Sequence, residues 1–156
     1  MLGYNIIDIL DKLIVIEQKG HTIYKAISQK ENVDEKIKVV ARILADQETR
    51  HMASYKRIRK LTAEEGEMPA IDFDIYDQAS QLISGYMSPP SVHMADIQQL
   101  LKFALDFEKQ GLALLMRIQG LLVRGKESEG SINYSVLTEI IEEEKKHIND
   151  LEGFIH

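Results

Sequence analysis

Apolar and polar positions alternate with a helical period along most of the chain. Apolar residues recur three and four positions apart in four long segments, the last of which follows a polar loop at residues 124–131. This spacing places the apolar side chains on one face of a helix. The sequence therefore predicts an all-α fold that contains four long helices.

The first half of the chain predicts two helices joined by a short turn. The first begins at Asn5, with Asp8 in its cap, and extends to about Gln29. Residues 32–35, Asn-Val-Asp-Glu, have the pattern of a capping box that opens the second helix, whose apolar pattern fades near Leu61. Because the turn is short, we expect the two helices to be antiparallel neighbours.

A less regular stretch separates the second long helix from the third. Breaks occur at residues 64–69 and at the proline pair within residues 88–91. Between them, residues 74–86 predict a short amphipathic helix inside a long connection, and Ser91 then caps the third long helix. The predicted architecture is an antiparallel four-helix bundle with one long crossover, forming a single domain over residues 1–156.

Composition and charge narrow the class of protein. The 156 residues are 44% hydrophobic and 28% charged, as in a soluble globular domain. The net charge of −6 argues against nucleic acid or an anionic membrane as partner. The lack of cysteine excludes disulfides, thiolate metal sites and thiol nucleophiles. Since no stretch has the pattern of a signal peptide or a membrane span, we expect a cytoplasmic protein.

One pattern of acidic and imidazole residues occurs in both halves of the chain. Each half has a lone glutamate in one apolar stripe and a Glu-x-x-His motif in the next. The residues are Glu17, Glu48 and His51 in the first half, and Glu108, Glu144 and His147 in the second. A Glu and a His three positions apart lie on one helix face, so both side chains can reach the same point.

Each of these glutamates occupies a position where the stripe needs an apolar side chain. Four buried carboxylates require cations or protons to neutralise them. Two divalent metal ions would do so, and four carboxylates with two imidazoles inside a bundle are the ligands of a dinuclear site. Oxygen and nitrogen ligands favour iron or manganese, and zinc also fits. The alternative is a glutamate-rich bundle without metal, whose carboxylates lie at the edge of the stripe.

A glycine follows the lone glutamate by three positions in both halves, as Gly20 and Gly111. Glycine inside a helix costs about 1 kcal/mol relative to alanine. Its double use beside the glutamate suggests space kept for a metal ion, an oxidant or a bridging carboxylate.

These motifs resemble the ferritin-like superfamily of di-iron carboxylate proteins, and most nearly its small rubrerythrin-like members. The likeness spans about residues 8–151 and includes Leu-Ala-Asp-Gln-Glu-Thr-Arg-His at residues 44–51. The resemblance implies two bound iron ions and a role for each ligand. The implied terminal carboxylates are Glu17 and Glu108, the bridging carboxylates Glu48 and Glu144, and the nitrogen ligands His51 and His147. It also matches Tyr24 to a tyrosine that the family keeps beside its metal ions.

The chain departs from typical rubrerythrins in two respects. It lacks the four cysteines of their rubredoxin-type iron centre, so its electrons would come from a separate donor protein. Typical rubrerythrins have a further glutamate one turn after the third-helix ligand, where this chain has Gly111. The resulting set of six ligands is closer to the oxidase centres of ferritins and bacterioferritins.

Residues next to the predicted ligands are candidates for supporting roles. His21, one turn after Glu17, is a candidate seventh ligand or, preferably, a hydrogen-bond partner of a ligand carboxylate. Gln47 and Glu143 precede the ligand glutamates and could orient an imidazole, although Glu143 fits a solvated position equally well. Tyr55 is either a hydrogen-bonded neighbour of the ligands or part of the apolar core, and we favour the core.

Such a centre predicts a redox protein of iron handling or oxidative stress. It would oxidise ferrous iron or reduce peroxide or dioxygen, as a ferroxidase or a rubrerythrin-like peroxidase, with Tyr24 or His21 relaying protons or electrons. One alternative is a subunit of an iron-storage shell, although storage ferritins usually have longer bundles. The other is a metal-free helical interaction module. A homodimer or a higher homo-oligomer is expected, because such bundles often associate.

Overall fold

The structure is a computed structural model that describes residues 4–66, 70–86, 96–124 and 132–155. Within these ranges the chain forms five helices and no strand, which confirms the predicted all-α class. The helices are α1 (Ile6–Ser28), α2 (Glu35–Glu64), α3 (Phe73–Tyr86), α4 (Ile97–Arg124) and α5 (Ile132–Ile155). None of the described helices combines the length and the apolar character that a membrane span requires.

Side chains cap the starts of the first two helices. The Asn5 side chain accepts a hydrogen bond from the backbone N–H of Ile7, and the Asp8 carboxylate accepts one from the N–H of Asn5, which completes a capping box. At α2 the cap is Asp34, which accepts from the N–H of Lys36. The predicted capping box at residues 32–35 is therefore wrong, because an aspartate directly before the first helical residue satisfies that N–H itself.

The short helix predicted between the second and third long helices is present as α3, and it begins one residue earlier than predicted. The predicted cap of the third long helix, Ser91, lies outside the described residues, as does most of the polar loop that precedes α5. In the described part of the chain, the third long helix begins at Ile97.

The long helices pack in pairs. α1 packs along α2, and α4 packs along α5. Since only residues 29–34 connect α1 to α2, these two helices are antiparallel neighbours, as expected. Helix α2 also contacts both α4 and α5, which brings the two pairs together.

Helix α3 contacts α1 and α4. The backbone N–H of Ile71, shortly before α3, donates a hydrogen bond of 2.8 Å to the carbonyl of Tyr4. The ring of Tyr76 stacks on Tyr4 with centroids 3.9 Å apart, and Ala79 and Ile83 are buried. These contacts attach the crossover to the beginning of α1.

Buried apolar side chains form two clusters. The first cluster contains the early part of α1, from Ile6 to Ile16, and the second contains the later residues Tyr24 and Ile27. Each of the four long helices passes from one cluster to the other. The residues on either side of the crossing are Ile16 and Tyr24 on α1, Ala45 and Tyr55 on α2, Ala104 and Phe107 on α4, and Ile141 and Leu151 on α5. The predicted ligands lie at this crossing or immediately beside it.

Candidate metal centre

The six predicted ligands form a polar layer between the two apolar clusters. All four glutamates are at most 5% exposed, and His51 is also buried, whereas the side chain of His147 is 11% exposed. The glutamates are Glu17 on α1, Glu48 on α2, Glu108 on α4 and Glu144 on α5. Each long helix therefore contributes one carboxylate to the interior.

One imidazole nitrogen lies among three of these carboxylates. Nδ1 of His51 is 3.7 Å from a carboxylate oxygen of Glu17, of Glu48 and of Glu108. This distance is too long for a hydrogen bond. Ligand atoms that each lie about 2.1 Å from one shared metal ion are about 3–4 Å from one another. One ligand atom from each of the four residues lies within 4.8 Å of the others, so the group could hold a metal ion.

A second group shares residues with the first. His51, Glu108 and His147 also offer ligand atoms within 4.8 Å of one another. The two imidazole rings stack with centroids 3.3 Å apart and planes 6° apart, and Nδ1 of His147 is 3.7 Å from Oε2 of Glu144. The two Glu-x-x-His motifs therefore face each other between α2 and α5.

The grouping differs from the ligand roles that the family resemblance implies. Those roles give Glu17 and Glu108 to different metal ions, but both glutamates lie 3.7 Å from the same nitrogen of His51. The division into terminal and bridging carboxylates therefore stays a prediction.

Several polar atoms of this layer have no hydrogen-bond partner within the described part of the chain. They are Oε2 of Glu17, Glu48 and Glu108, and Nδ1 of His51 and His147. An unpaired buried polar group costs about 1–3 kcal/mol, so such a concentration needs a compensating ligand. Carboxylate oxygens and imidazole nitrogens are ligands of first-row divalent metals. The residues therefore fit a metal ion.

The carboxylates are held in different protonation states when no metal is bound. Burial, with the charge of neighbouring carboxylates, raises the pKa of Glu48 and of Glu108 well above the ordinary value. Burial acts in the same direction on Glu144, but its interactions with Glu108, His147 and Tyr55 outweigh burial and lower the pKa of Glu144 to about 2. The raised pKa values favour a proton on Glu48 and on Glu108 in the absence of metal, whereas the lowered pKa favours an ionised Glu144.

Tyr55 has the less favoured of the two roles that the sequence left open for it. Its ring belongs to the first apolar cluster, as predicted, but its hydroxyl donates a hydrogen bond of 2.6 Å to Oε2 of Glu144. Tyr55 lies four positions after His51 and seven after Glu48, on the same helix face. That spacing was the available signal. Its partner Glu144 lies 89 residues away on α5, so the sequence around Tyr55 does not indicate the hydrogen bond.

Gly20 provides room for a carboxylate of the centre. A Cβ atom at this position would lie 3.2 Å from Cδ of Glu48 and 3.2 Å from Cε1 of Phe107, closer than most real contacts of a Cβ atom. The predicted space beside the lone glutamate is therefore present at Gly20. Its counterpart Gly111 borders a small cavity beside Glu17.

The two candidate relay residues lie in different surroundings. Tyr24 is fully buried in the second cluster, and its ring meets Phe103 edge-on with centroids 6.2 Å apart. His21 is half-buried and lines a polar groove beside Arg42 and Asp46. Among the described residues, the groups of acidic and histidine side chains suited to a metal ion do not include His21. Their roles as relays stay predictions.

A second polar groove, of about 220 Å³, leads to the two imidazoles between α2 and α5. Gln47 and Glu143 both line it, together with His51 and His147. Oε2 of Glu143 is 3.7 Å from Nε2 of His147, which places this carboxylate beside the nitrogen that faces away from Glu144. Glu143 is thus close to an imidazole, although the distance exceeds that of a hydrogen bond, and its role in orienting the imidazole stays a prediction.

Comparison with known proteins does not add a family to this geometry. No protein-family model matches the chain, and neither a curated protein nor a solved structure matches it significantly. The buried carboxylates and imidazoles are therefore the features that indicate a function.

Proposed function

We propose that the chain is a di-iron carboxylate redox protein of the ferritin-like kind. In this proposal α1, α2, α4 and α5 form an antiparallel four-helix bundle, and two metal ions occupy the polar layer between the apolar clusters. The observation that carries it is the position of His51, whose Nδ1 lies 3.7 Å from oxygens of three buried glutamates. A cation would neutralise the three carboxylates and give the imidazole nitrogen a partner at the same time.

The ligand chemistry supports two ions of iron. The residues that would hold them are Glu17, Glu48, His51, Glu108, Glu144 and His147. Four carboxylates balance the charge of two divalent ions, and the mixture of oxygen and nitrogen atoms without thiolate favours iron or manganese. We propose iron because the open coordination positions of such a site suit dioxygen or peroxide.

When bound, two ferrous ions would supply two electrons, which with two protons reduce hydrogen peroxide to two waters or dioxygen to hydrogen peroxide. The chain itself orients and protects this chemistry. Tyr55 holds one oxygen of Glu144 by a hydrogen bond, and the two apolar clusters exclude bulk water. For repeated turnover, the electrons would come from ferrous iron or from a separate donor protein.

Metal content per chain tests the proposal. Protein purified without chelator or affinity metal and loaded anaerobically with ferrous iron is expected to contain about two irons per chain by plasma mass spectrometry. Replacing His51 and His147 together by alanine should abolish this binding. Glu139→Ala, at an exposed position of α5, is the control and should retain both irons. If neither iron nor manganese binds stoichiometrically, the metal-free interaction module replaces the proposal.

Turnover gives an independent test. Loaded protein is expected to oxidise ferrous iron when dioxygen or peroxide is added, and Glu48→Ala or Glu144→Ala should abolish both metal binding and oxidation. Oxidation retained in either variant would contradict the assigned centre. Size-exclusion chromatography completes the experiment, because a shell of many subunits would favour iron storage over a redox enzyme.

A further inference from the structure

A small cavity lies beside the carboxylates of the centre, and its walls include neither imidazole. Its walls include three residues with polar groups, Glu17, Glu144 and Tyr55. The remaining walls are apolar side chains and one glycine, namely Leu13, Ile16, Leu114, Leu115 and Gly111. We call this space the Gly111 cavity.

The Gly111 cavity and the imidazole groove differ in size and in chemistry. The cavity has a volume of about 10 Å³, which is close to the room needed by one water-sized molecule. The groove at the imidazoles has about 220 Å³ and carries four ionisable side chains beside the imidazoles, from Arg50, Glu143, Lys146 and Asp150. A hydrated cation suits the groove, because its charge needs polar surroundings. A small uncharged molecule suits the cavity, because it loses little hydration on entering apolar surroundings.

Glycine at position 111 keeps this space free. Gly111 lies three residues after Glu108 on α4, so a side chain there would point to the same face of the helix as Glu108. Gly111 is half-buried and lines the cavity, to which it contributes no side chain of its own. The glycine therefore maintains an opening that directly adjoins two carboxylates of the centre.

We propose that the Gly111 cavity is the binding site of the oxidant, a small uncharged oxygen species such as dioxygen or hydrogen peroxide. This inference rests on the proposed function and names the side of the centre from which its substrate approaches. The hydroxyl of Tyr55, held 2.6 Å from Glu144, forms a polar edge of the cavity. The four aliphatic walls favour an uncharged molecule over an ion, so oxidant and metal ion enter from different sides.

Dioxygen partitioning tests the site without any bound iron. Dissolved dioxygen is paramagnetic and accelerates the relaxation of nearby methyl groups, so NMR under dioxygen pressure locates it in the metal-free or zinc-loaded protein. We expect the methyl groups of Leu13, Leu114 and Leu115 to relax faster than those of the equally buried Ile27 and Ile37 in the second cluster. Gly111→Ala should remove this difference. Equal enhancement in both clusters would overturn the proposal.

The second arm measures reaction with the ferrous-loaded protein. Gly111→Ala is expected to slow oxidation by about tenfold or more, while iron content remains that of the wild type. Gly120→Ala is the matched control, because Gly120 is also on α4 but a Cβ atom there meets nothing within 4 Å. Dioxygen and peroxide are tested separately, and a loss confined to one of them identifies the oxidant. Unchanged rates with both would overturn the proposal.

The two arms separate failure of this inference from failure of the proposed function. Wild-type protein that binds iron but shows no selective methyl relaxation contradicts the oxidant site alone. Protein that binds no iron contradicts the proposed function, and the oxidant role of the cavity with it, even where dioxygen still relaxes the methyl groups.

Discussion

At the scale of single residues, the hydrogen bond from Tyr55 to Glu144 determines how one carboxylate keeps its charge in the interior. Burial raises the pKa of Glu144, and interactions with Glu108, with His147 and with the hydroxyl of Tyr55 overcome this effect. A residue that supports a buried charge in this way contributes to stability even when no metal is bound.

Tyr55→Phe tests this contribution. Loss of a hydrogen bond to a buried charge should lower the free energy of unfolding of the metal-free protein by about 1.5–3 kcal/mol at neutral pH. Unfolding in urea measures the change. Tyr76→Phe is the control, since the stacking of this half-buried ring on Tyr4 does not need the hydroxyl. Equal losses in the two variants would show that the bond to Glu144 has no special role.

A pair of glycine substitutions tests the space beside Glu48. Gly120→Ala, which meets no neighbour, should raise the free energy of unfolding by about 0.5–1 kcal/mol through helix propensity alone. Gly20→Ala should raise the free energy of unfolding by less than Gly120→Ala does, because its Cβ atom would displace the carboxylate of Glu48. The same displacement should weaken metal binding. Urea unfolding and competition with a chelator measure the two effects. Metal affinity that is unchanged in Gly20→Ala would contradict this explanation.

The burial of the four glutamates was predictable because a charged side chain interrupts an apolar stripe, and this interruption is visible in local sequence. The sequence could not decide between the two roles of Tyr55, because a tyrosine fits an apolar stripe whether or not its hydroxyl has a partner. The sequence also could not predict that Glu17 and Glu108 lie around the same nitrogen of His51. Periodicity fixes the helix face of a residue, but not which residues from other helices lie opposite it.

At the scale of helices, local signals determine where α1 begins but not how the crossover attaches to it. The sequence predicts the start of α1, its length and the short helix α3, since caps and periodicity are local. The bond from Ile71 to the carbonyl of Tyr4 joins backbone groups far apart in sequence, and backbone pairing carries no residue signature. The contact of α3 with α1 therefore required the structure.

Asn5→Ala tests the capping box of α1. Removing the acceptor for the N–H of Ile7 should lower the free energy of unfolding by about 1 kcal/mol. Iron content should not change, because the cap lies several turns before Glu17. Asn5→Ser keeps a capping oxygen and should retain nearly all of the stability in thermal or urea unfolding. If Asn5→Ser is as unstable as Asn5→Ala, the capping hydrogen bond is not the cause.

At the scale of the whole molecule, the polar layer lies where all four long helices pass between the apolar clusters. A metal ion there would connect residues from helices that are distant in sequence, such as Glu17 and Glu108. A ligand that binds only the folded state stabilises it by about 2.7 kcal/mol when its concentration is 100 times the dissociation constant. Binding should therefore raise the melting temperature of the wild type, but not that of the variant with both histidines replaced.

The same layer determines how the stability of the metal-free protein depends on pH. Burial raises the pKa of Glu48 and Glu108 above the ordinary value of 4.5, so the folded state keeps protons that the unfolded chain releases. The free energy of unfolding should therefore fall as the pH rises above 4.5. The fall should end once the pH exceeds the pKa values of Glu48 and Glu108 in the folded state. Glu144 acts in the opposite direction, since its pKa of about 2 gives stability above pH 4.5 that is lost as the pH falls towards 2.

Urea unfolding of the metal-free protein between pH 5 and 8 measures this dependence, with the buffer pH as the only variable. Stability should decrease across the range in the wild type, and Glu48→Gln combined with Glu108→Gln should remove much of the decrease. Glu139→Gln, at an exposed position of α5, controls for the change in net charge and should keep the slope. Bound metal should also remove the decrease in stability with pH. The metal ions displace the protons from both carboxylates, so no uncompensated charge appears as the pH rises. A slope that survives in the double variant would place the titrating groups outside the polar layer.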